Sequence, residues 1–143
     1  MGYMKNIFFF LLLLVLFSCH RHNQFDNDTC RKKVLIDEKM FGQNSPDVFN
    51  ITNCEIQGDC LIVSISASGC SGINWLADAV SDGSIAKSLP PQRQLRILFT
   101  NPELCEALPT RKFQFNLRSM QVSGTNSVLL KLQGWEDALV YKY

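Results

Sequence analysis

The sequence predicts an all-β domain, an antiparallel β-sandwich of about seven strands over residues 46–143. Three observations carry that prediction. Apolar residues recur with a period of two rather than 3.6, the mark of half-buried strands. Turn residues cut the runs at Gly58-Asp59, Asp82-Gly83-Ser84, Pro90-Pro91, Asn101-Pro102, Gly124-Thr125-Asn126 and Gly134. No internal repeat or helical heptad competes with this pattern.

Taken in order, the segments are 51–57, 60–68, 73–80, 94–100, 111–117, 127–133 and 138–143. In "CLIVSISAS" Leu61, Val63, Ile65 and Ala67 share one face, while Ser64, Ser66 and Ser68 share the other. "RQLRILF" sets Leu95, Ile97 and Phe99 together. "RKFQFNLR" does the same for Phe113, Phe115 and Leu117, and "SVLLKLQ" for Val128, Leu130 and Leu132. "ALVYKY" closes the chain with Leu139, Tyr141 and Tyr143. Strand number and spacing make an Ig-like sandwich the nearest architecture, with a small barrel as the alternative.

Ahead of the domain, Ile7 to Phe17 are eleven consecutive apolar residues behind Lys5. As a helix they would cover about 16 Å, roughly half of a ~30 Å hydrocarbon core, so a secretory signal is expected rather than a membrane span. The boundary Leu16-Phe17-Ser18-Cys19 resembles the lipobox of bacterial lipoprotein precursors, although Phe17 is bulkier than the small residue usual there. That resemblance implies a signal peptide over 1–18 and a lipidated Cys19. Three acyl chains would exceed the two signals that stable anchoring needs. Residues 19–45 then read as the lipidated cysteine and a polar tether. His20 and His22 lie in that tether without carboxylate or thiolate at metal-site spacing, so no metal is expected. Asp26-Asn27-Asp28 lacks the glycine and terminal glutamate of a calcium loop.

With Cys19 lipidated, Cys30, Cys54, Cys60, Cys70 and Cys105 remain, an odd number that leaves at least one thiol free or paired with another chain. If Gly58-Asp59 is a two-residue hairpin turn, Gln57 faces Cys60 and Cys54 faces Val63. Cys54 would then stand about 10 Å from Cys60, beyond the ~7 Å Cα limit for a disulfide. A 54–60 bond would need a wider loop. Cys70–Cys105 meets no such local objection and closes a loop worth about 4 kcal/mol, against about 2.5 for 54–60. We therefore expect the 70–105 pair; the partners of Cys30, Cys54 and Cys60 stay open.

The stretches "GDCLIVSISASGCSGINWLADAVSDGSIAKSLPPQRQLRI", "NPELCEA", "FQFNL" and "LQGWEDALVYKY" resemble small uncharacterised lipoproteins of Bacteroidota. Those carry a strand ending in a Ser-Gly-Cys turn, a Pro-Pro segment, an Asn-x-x-x-Cys element and a terminal Tyr-x-Tyr strand. The resemblance covers residues 54–143 and implies a Cys70–Cys105 bridge and an envelope location. Some relatives place a histidine after the Gly-Cys turn. Gly72, Ile73, Asn74 and Trp75 stand there in this chain, so imidazole chemistry does not carry over.

Composition excludes several functions. Fourteen Lys and Arg against thirteen Asp and Glu give a formal charge of +1, which supports neither nucleic-acid steering nor a polybasic membrane footprint. Both histidines lie in the tether, so a histidine-dependent nucleophile is not expected. No phosphate-cradling loop or metal cluster is legible, and neither cofactor nor catalytic residue is assigned. Asp78 with Asp82, or Glu103 with Glu106, are the carboxylate pairs a hydrolase could use.

The expected role is a non-enzymatic binding or structural module, its partner an envelope protein or a glycan. The candidate surface is the 69–75 loop with Asn74 and Trp75, together with 82–92. A small periplasmic enzyme inhibitor is the alternative. Without an acidic run after Cys19, the expected position is lipid-anchored at the outer membrane, facing the periplasm.

Overall fold

The computed structural model describes residues 30–143. Cys19 and the tether histidines lie outside them. The alternating runs become β2 (Asn50–Gln57), β3 (Cys60–Ser66), β4 (Leu76–Ser81), β5 (Gln92–Thr100), β6 (Thr110–Asn116), β7 (Ser127–Leu132) and β8 (Leu139–Lys142). An eighth strand, β1 (Leu35–Ile36), precedes them. One sheet has the order β2-β3-β6, the other β1-β4-β5-β7-β8.

Gly58-Asp59 is a two-residue turn, with Gln57 opposite Cys60 and Cys54 opposite Val63. The three-stranded sheet is antiparallel throughout. The five-stranded sheet is not, because β1 runs parallel to β4 and β5 runs parallel to β7. This corrects the purely antiparallel expectation. Alternation reports which face of a strand is buried but not which way its neighbour runs. After β5 the chain leaves for β6 in the opposite sheet, then re-enters beside β5 in the same direction.

The segment 32–36 closes one side of the sandwich. Asn116 at the end of β6 donates its N–H to Lys32 O (2.7 Å) and accepts from Val34 N–H (3.2 Å). Leu35 and Ile36 then pair with Val80 and Ser81 of β4, in the other sheet. Val34 is buried, and Cys30 is bonded to Cys60. Asp37 caps the short helix α1 (Glu38–Phe41), its Oδ1 accepting the Met40 N–H at 2.8 Å. The packed domain thus reaches back to Cys30, where a tether to residue 45 was expected. The segment's single buried apolar side chain, Val34, and a disulfide hold it down, neither of which periodicity can register.

The core lies between the sheets, where the inward positions read from the sequence meet. Leu61, Val63 and Ile65 share it with Leu95, Ile97 and Phe99, Val128, Leu130 and Leu132, and Tyr141. Each buried side chain of this size is worth roughly 1.5–3 kcal/mol of transfer free energy. Phe99 sits at an aromatic junction, with the rings of Phe49 and Trp75 each 5.2 Å away and Phe113 at 6.5 Å.

The terminal Tyr-x-Tyr locks the end of the sandwich that holds the Gly58-Asp59 turn. Buried Tyr141 donates its hydroxyl to Asp59 Oδ1 (2.7 Å) and accepts from Gln121 Nε2 (3.0 Å). Burial, and then the bond to Asp59, push the Tyr141 phenol up to about 12. Tyr143 OH accepts the Val122 N–H at 2.8 Å, tying the chain end to the loop before β7.

Candidate functional site at the loop pole

Strand direction gives the sandwich two unlike poles. At one lie the Gly58-Asp59 turn, the end of β6 and the starts of β5 and β7. The Cys30–Cys60 disulfide brings the N-terminal segment in here. At the other lie the ends of β3 and β5, the starts of β4 and β6, and the loops 67–75 and 101–109. From Cys60 to Ser66, β3 separates them by about 20 Å.

At the loop pole, the chain leaving β3 is bound to the chain entering β6. Gly69 donates its N–H to Ala107 O (2.9 Å), and Ser68 Oγ donates to Cys105 O (3.0 Å). Cys70 and Cys105 are disulfide-bonded, with Cα atoms 4.7 Å apart. Glu103 then reaches into the 70–74 turn. Its Oε2 accepts the backbone N–H groups of Cys70 (2.7 Å), Ser71 (3.0 Å) and Gly72 (2.8 Å), while Oε1 accepts that of Asn74 (3.3 Å). Successive N–H groups converging on one anion form a nest, and here the chain supplies its own anion. Desolvation pushes the Glu103 carboxyl up, but the four backbone donors together outweigh it and hold the group below the ordinary glutamate value.

The two glycines of the turn are needed for this geometry. A Cβ on Gly69 would stand 2.8 Å from Glu103 Oε2. Gly72 has φ +71°, and a Cβ there would meet Arg111 Cδ at 2.7 Å. Arg111 in turn donates from Nη1 to Gly72 O at 2.6 Å. Asn101 ties in the second loop, accepting the Glu103 N–H on Oδ1 (2.9 Å) while its backbone N–H donates to Asp47 Oδ2 (2.7 Å).

The fold is shared with a solved Bacteroides protein. A protein of unknown function, DUF1344, from Bacteroides vulgatus ATCC 8482 superposes with a TM-score of 0.53 at 14% identity. The match covers 78% of this chain and 56% of that one, so this chain spans little more than half of its neighbour's length. No family model matches the sequence, and no curated protein matches it.

Of the expected surface pair, Asn74 is exposed and Trp75 is not. The Trp75 indole is buried, edge-on to Phe99, with no hydrogen-bond partner for its Nε1 among the described residues. Trp75 is thus the plug between the sheets that a tryptophan more often forms, and it drops out of the candidate surface. Residue 75 is the last of the turn, and the register of β4 sends its side chain inward with Ala77 and Ala79. What the pole does display is Val48, Ile73, Leu104 and Leu108, between 71% and 97% exposed.

Three of the four candidate carboxylates are otherwise engaged. Asp78 forms an ion pair with Lys32 (2.9 Å), Asp82 accepts from Ser84 Oγ (2.7 Å), and Glu103 fills the nest. The role of Glu103 had no signal in the sequence beyond its lying two residues from a cysteine. Among the described residues, no group of three or more His, Cys, Asp or Glu is placed to hold a metal ion.

Proposed function

We propose that this is a lipid-anchored protein of the bacterial envelope, one of the Bacteroidota lipoproteins that its sequence resembles. It acts as a non-catalytic binding module with its loop pole as the recognition surface. The observation that carries the reading is the polarity of the domain. Cys30, eleven residues after Cys19, is fixed at the pole opposite the exposed apolar loops. A chain anchored through Cys19 enters the domain at the pole opposite Ile73, Leu104 and Leu108, which leaves them open to a partner, and exposed apolar side chains gathered in one place mark interaction sites.

The loop pole is also built for rigidity. The disulfide, the Glu103 nest and the Asn101 bonds fix the backbone that carries the apolar side chains before any partner arrives, which lowers the entropy cost of binding. Support for a non-catalytic role comes from Glu103, whose carboxylate is already saturated by backbone donors and poorly placed to move a proton. The outer membrane, facing the periplasm, is the proposed location.

Cell fractionation of Cys19→Ala tests the anchor: the variant should leave the membrane fraction, and its retention there would contradict the reading. Crosslinking in native envelopes, with mass spectrometry of the products, tests the binding role. A reproducible partner supports it, and a hydrolase among the partners would select inhibition as its form. Protease treatment of intact cells should leave the domain uncut; digestion without lysis would place it on the surface instead.

A further inference from the structure

A groove of about 470 Å³ crosses the outer face of the five-stranded sheet, remote from the loop pole's disulfide. We infer that it binds a carboxylated sugar, with Arg96 as the carboxylate anchor. This inference stands apart from the proposed role of the loop pole.

Arg96 points outward from β5 and is held on three sides. Its Cζ lies 5.3 Å from the centroid of the Phe41 ring, Nη1 donates to Gln43 O, and Nε donates to Gln133 Oε1. Each of these partners has its own support. Phe41 closes the capped helix α1, Gln43 donates its N–H to Met40 O at 3.0 Å, and Gln133 extends the sheet ladder by donating its N–H to Leu95 O at 2.9 Å. A guanidinium stacked on an aromatic ring and bonded at Nε and Nη1 cannot swing freely. Among the described residues its Nη2 donates to nothing, and the groove is lined by Arg96 itself. With Nε and Nη1 engaged by the protein, the Nη2 N–H groups are left to donate charge-assisted bonds to a ligand carboxylate, and little side-chain entropy is left to lose when one binds.

The rest of the lining decides between an acidic sugar and an acidic peptide. Lys131 and Gln94 are neighbours in the parallel β5–β7 register, both exposed, and add a second cation and an amide. Ser84 and Gln133 supply further donors and acceptors suited to hydroxyl groups. Asp82 also lines the groove, its carboxylate pinned by the Ser84 N–H (3.1 Å) and Oγ (2.7 Å). An anionic wall repels a run of acidic side chains, yet it accepts hydrogen bonds from sugar hydroxyls. One held guanidinium, one further cation and one carboxylate acceptor suit a ligand with a single negative charge on a hydroxyl-rich scaffold.

Calorimetric titration of the purified full-length protein with sialyllactose, a trisaccharide bearing one carboxylate, tests this, with lactose and tetra-glutamate as comparison probes. Sialyllactose should bind, weakening as salt rises, while neither comparison probe binds comparably. Arg96→Gln and Arg96→Lys should each lose at least tenfold in affinity, the second showing that the held guanidinium and not the charge alone is read. Lys131→Ala, at an exposed position, should lose several-fold without lowering the melting temperature. If the Arg96 variants unfold, Lys131→Ala decides: unchanged affinity there overturns the site. Absence of sialyllactose binding up to millimolar concentration, equal binding of lactose, stronger binding of tetra-glutamate, or full affinity in a folded Arg96→Lys variant would each overturn it too.

Discussion

Replacing Cys70 and Cys105 together by serine removes the loop-pole staple without leaving an orphan thiol. The bond joins residues 35 apart in sequence, and the chain-entropy relation gives about 3.8 kcal/mol for closing a loop of that length. For a domain of the 114 residues described, the unfolding entropy near the midpoint is about 240 cal/mol/K. The double variant should therefore melt about 15 °C below the wild type. Much of that loss arises in the unfolded chain, since Gly69–Ala107 and Ser68–Cys105 still hold the two loops together in the folded state. Circular dichroism melts of both proteins under non-reducing conditions measure it. A drop smaller than about 5 °C would refute the reasoning, because it would mean that the unfolded loop was already constrained by something other than the bond.

Other consequences can be checked alongside. Burial, and then the neighbouring Glu55 charge, push the Cys54 thiol up to about 12, so it should resist iodoacetamide at pH 8. Denaturation without reductant should expose it, and a reactive Cys54 in the folded protein would contradict its place in the core. Asp59→Ala should cost about 2 kcal/mol at pH 7, since it strands the buried Tyr141 hydroxyl; the exposed Arg118 contact adds little. The bonds from Tyr141 and Arg118 hold the Asp59 carboxyl below its ordinary value. Its stabilisation is thus complete above the unfolded-state value and lost as pH falls through the folded one, so the gap between variant and wild type should close below about pH 4. Trp75→Ala should destabilise the fold by about 3–5 kcal/mol in urea titrations, as a core position does and a displayed one does not. Glu103→Gln should speed hydrogen exchange at residues 70–74 and leave the β3 amides unchanged; equal protection would show that the nest does not need the charge.

Much of the strand layout was legible in the sequence because each strand has one buried face. Leu61, Val63 and Ile65, or Val128, Leu130 and Leu132, alternate strictly, and the structure buries all six. Strand direction was not legible, since a parallel and an antiparallel neighbour bury the same side chains; hence the missed parallel pairing of β5 with β7. The segment 32–36 was missed because it carries one buried residue, Val34, and pairs first with one sheet and then with the other. At the loop pole the Gly69-Cys70 turn was visible as a feature, but its partner was not. The contact between Glu103 and the 70–74 amides joins residues about 30 apart and depends on backbone donors, which have no sequence identity to read. Arg96 looked like any outward-facing residue on a strand until the fold brought Phe41 and Gln133 to it.

The polarity of the domain can be tested at two matched positions. Leu104 at the loop pole and Leu89 near the opposite pole, where Cys30 enters, are 97% and 98% exposed, so a photo-crosslinking residue at either is equally free to react. In intact envelopes, a crosslinker at position 104 should give a discrete protein or glycan adduct, while one at position 89 should give none or only lipid. Equal adducts from both positions, or a partner captured at 89 alone, would contradict the assignment of the loop pole as the recognition surface.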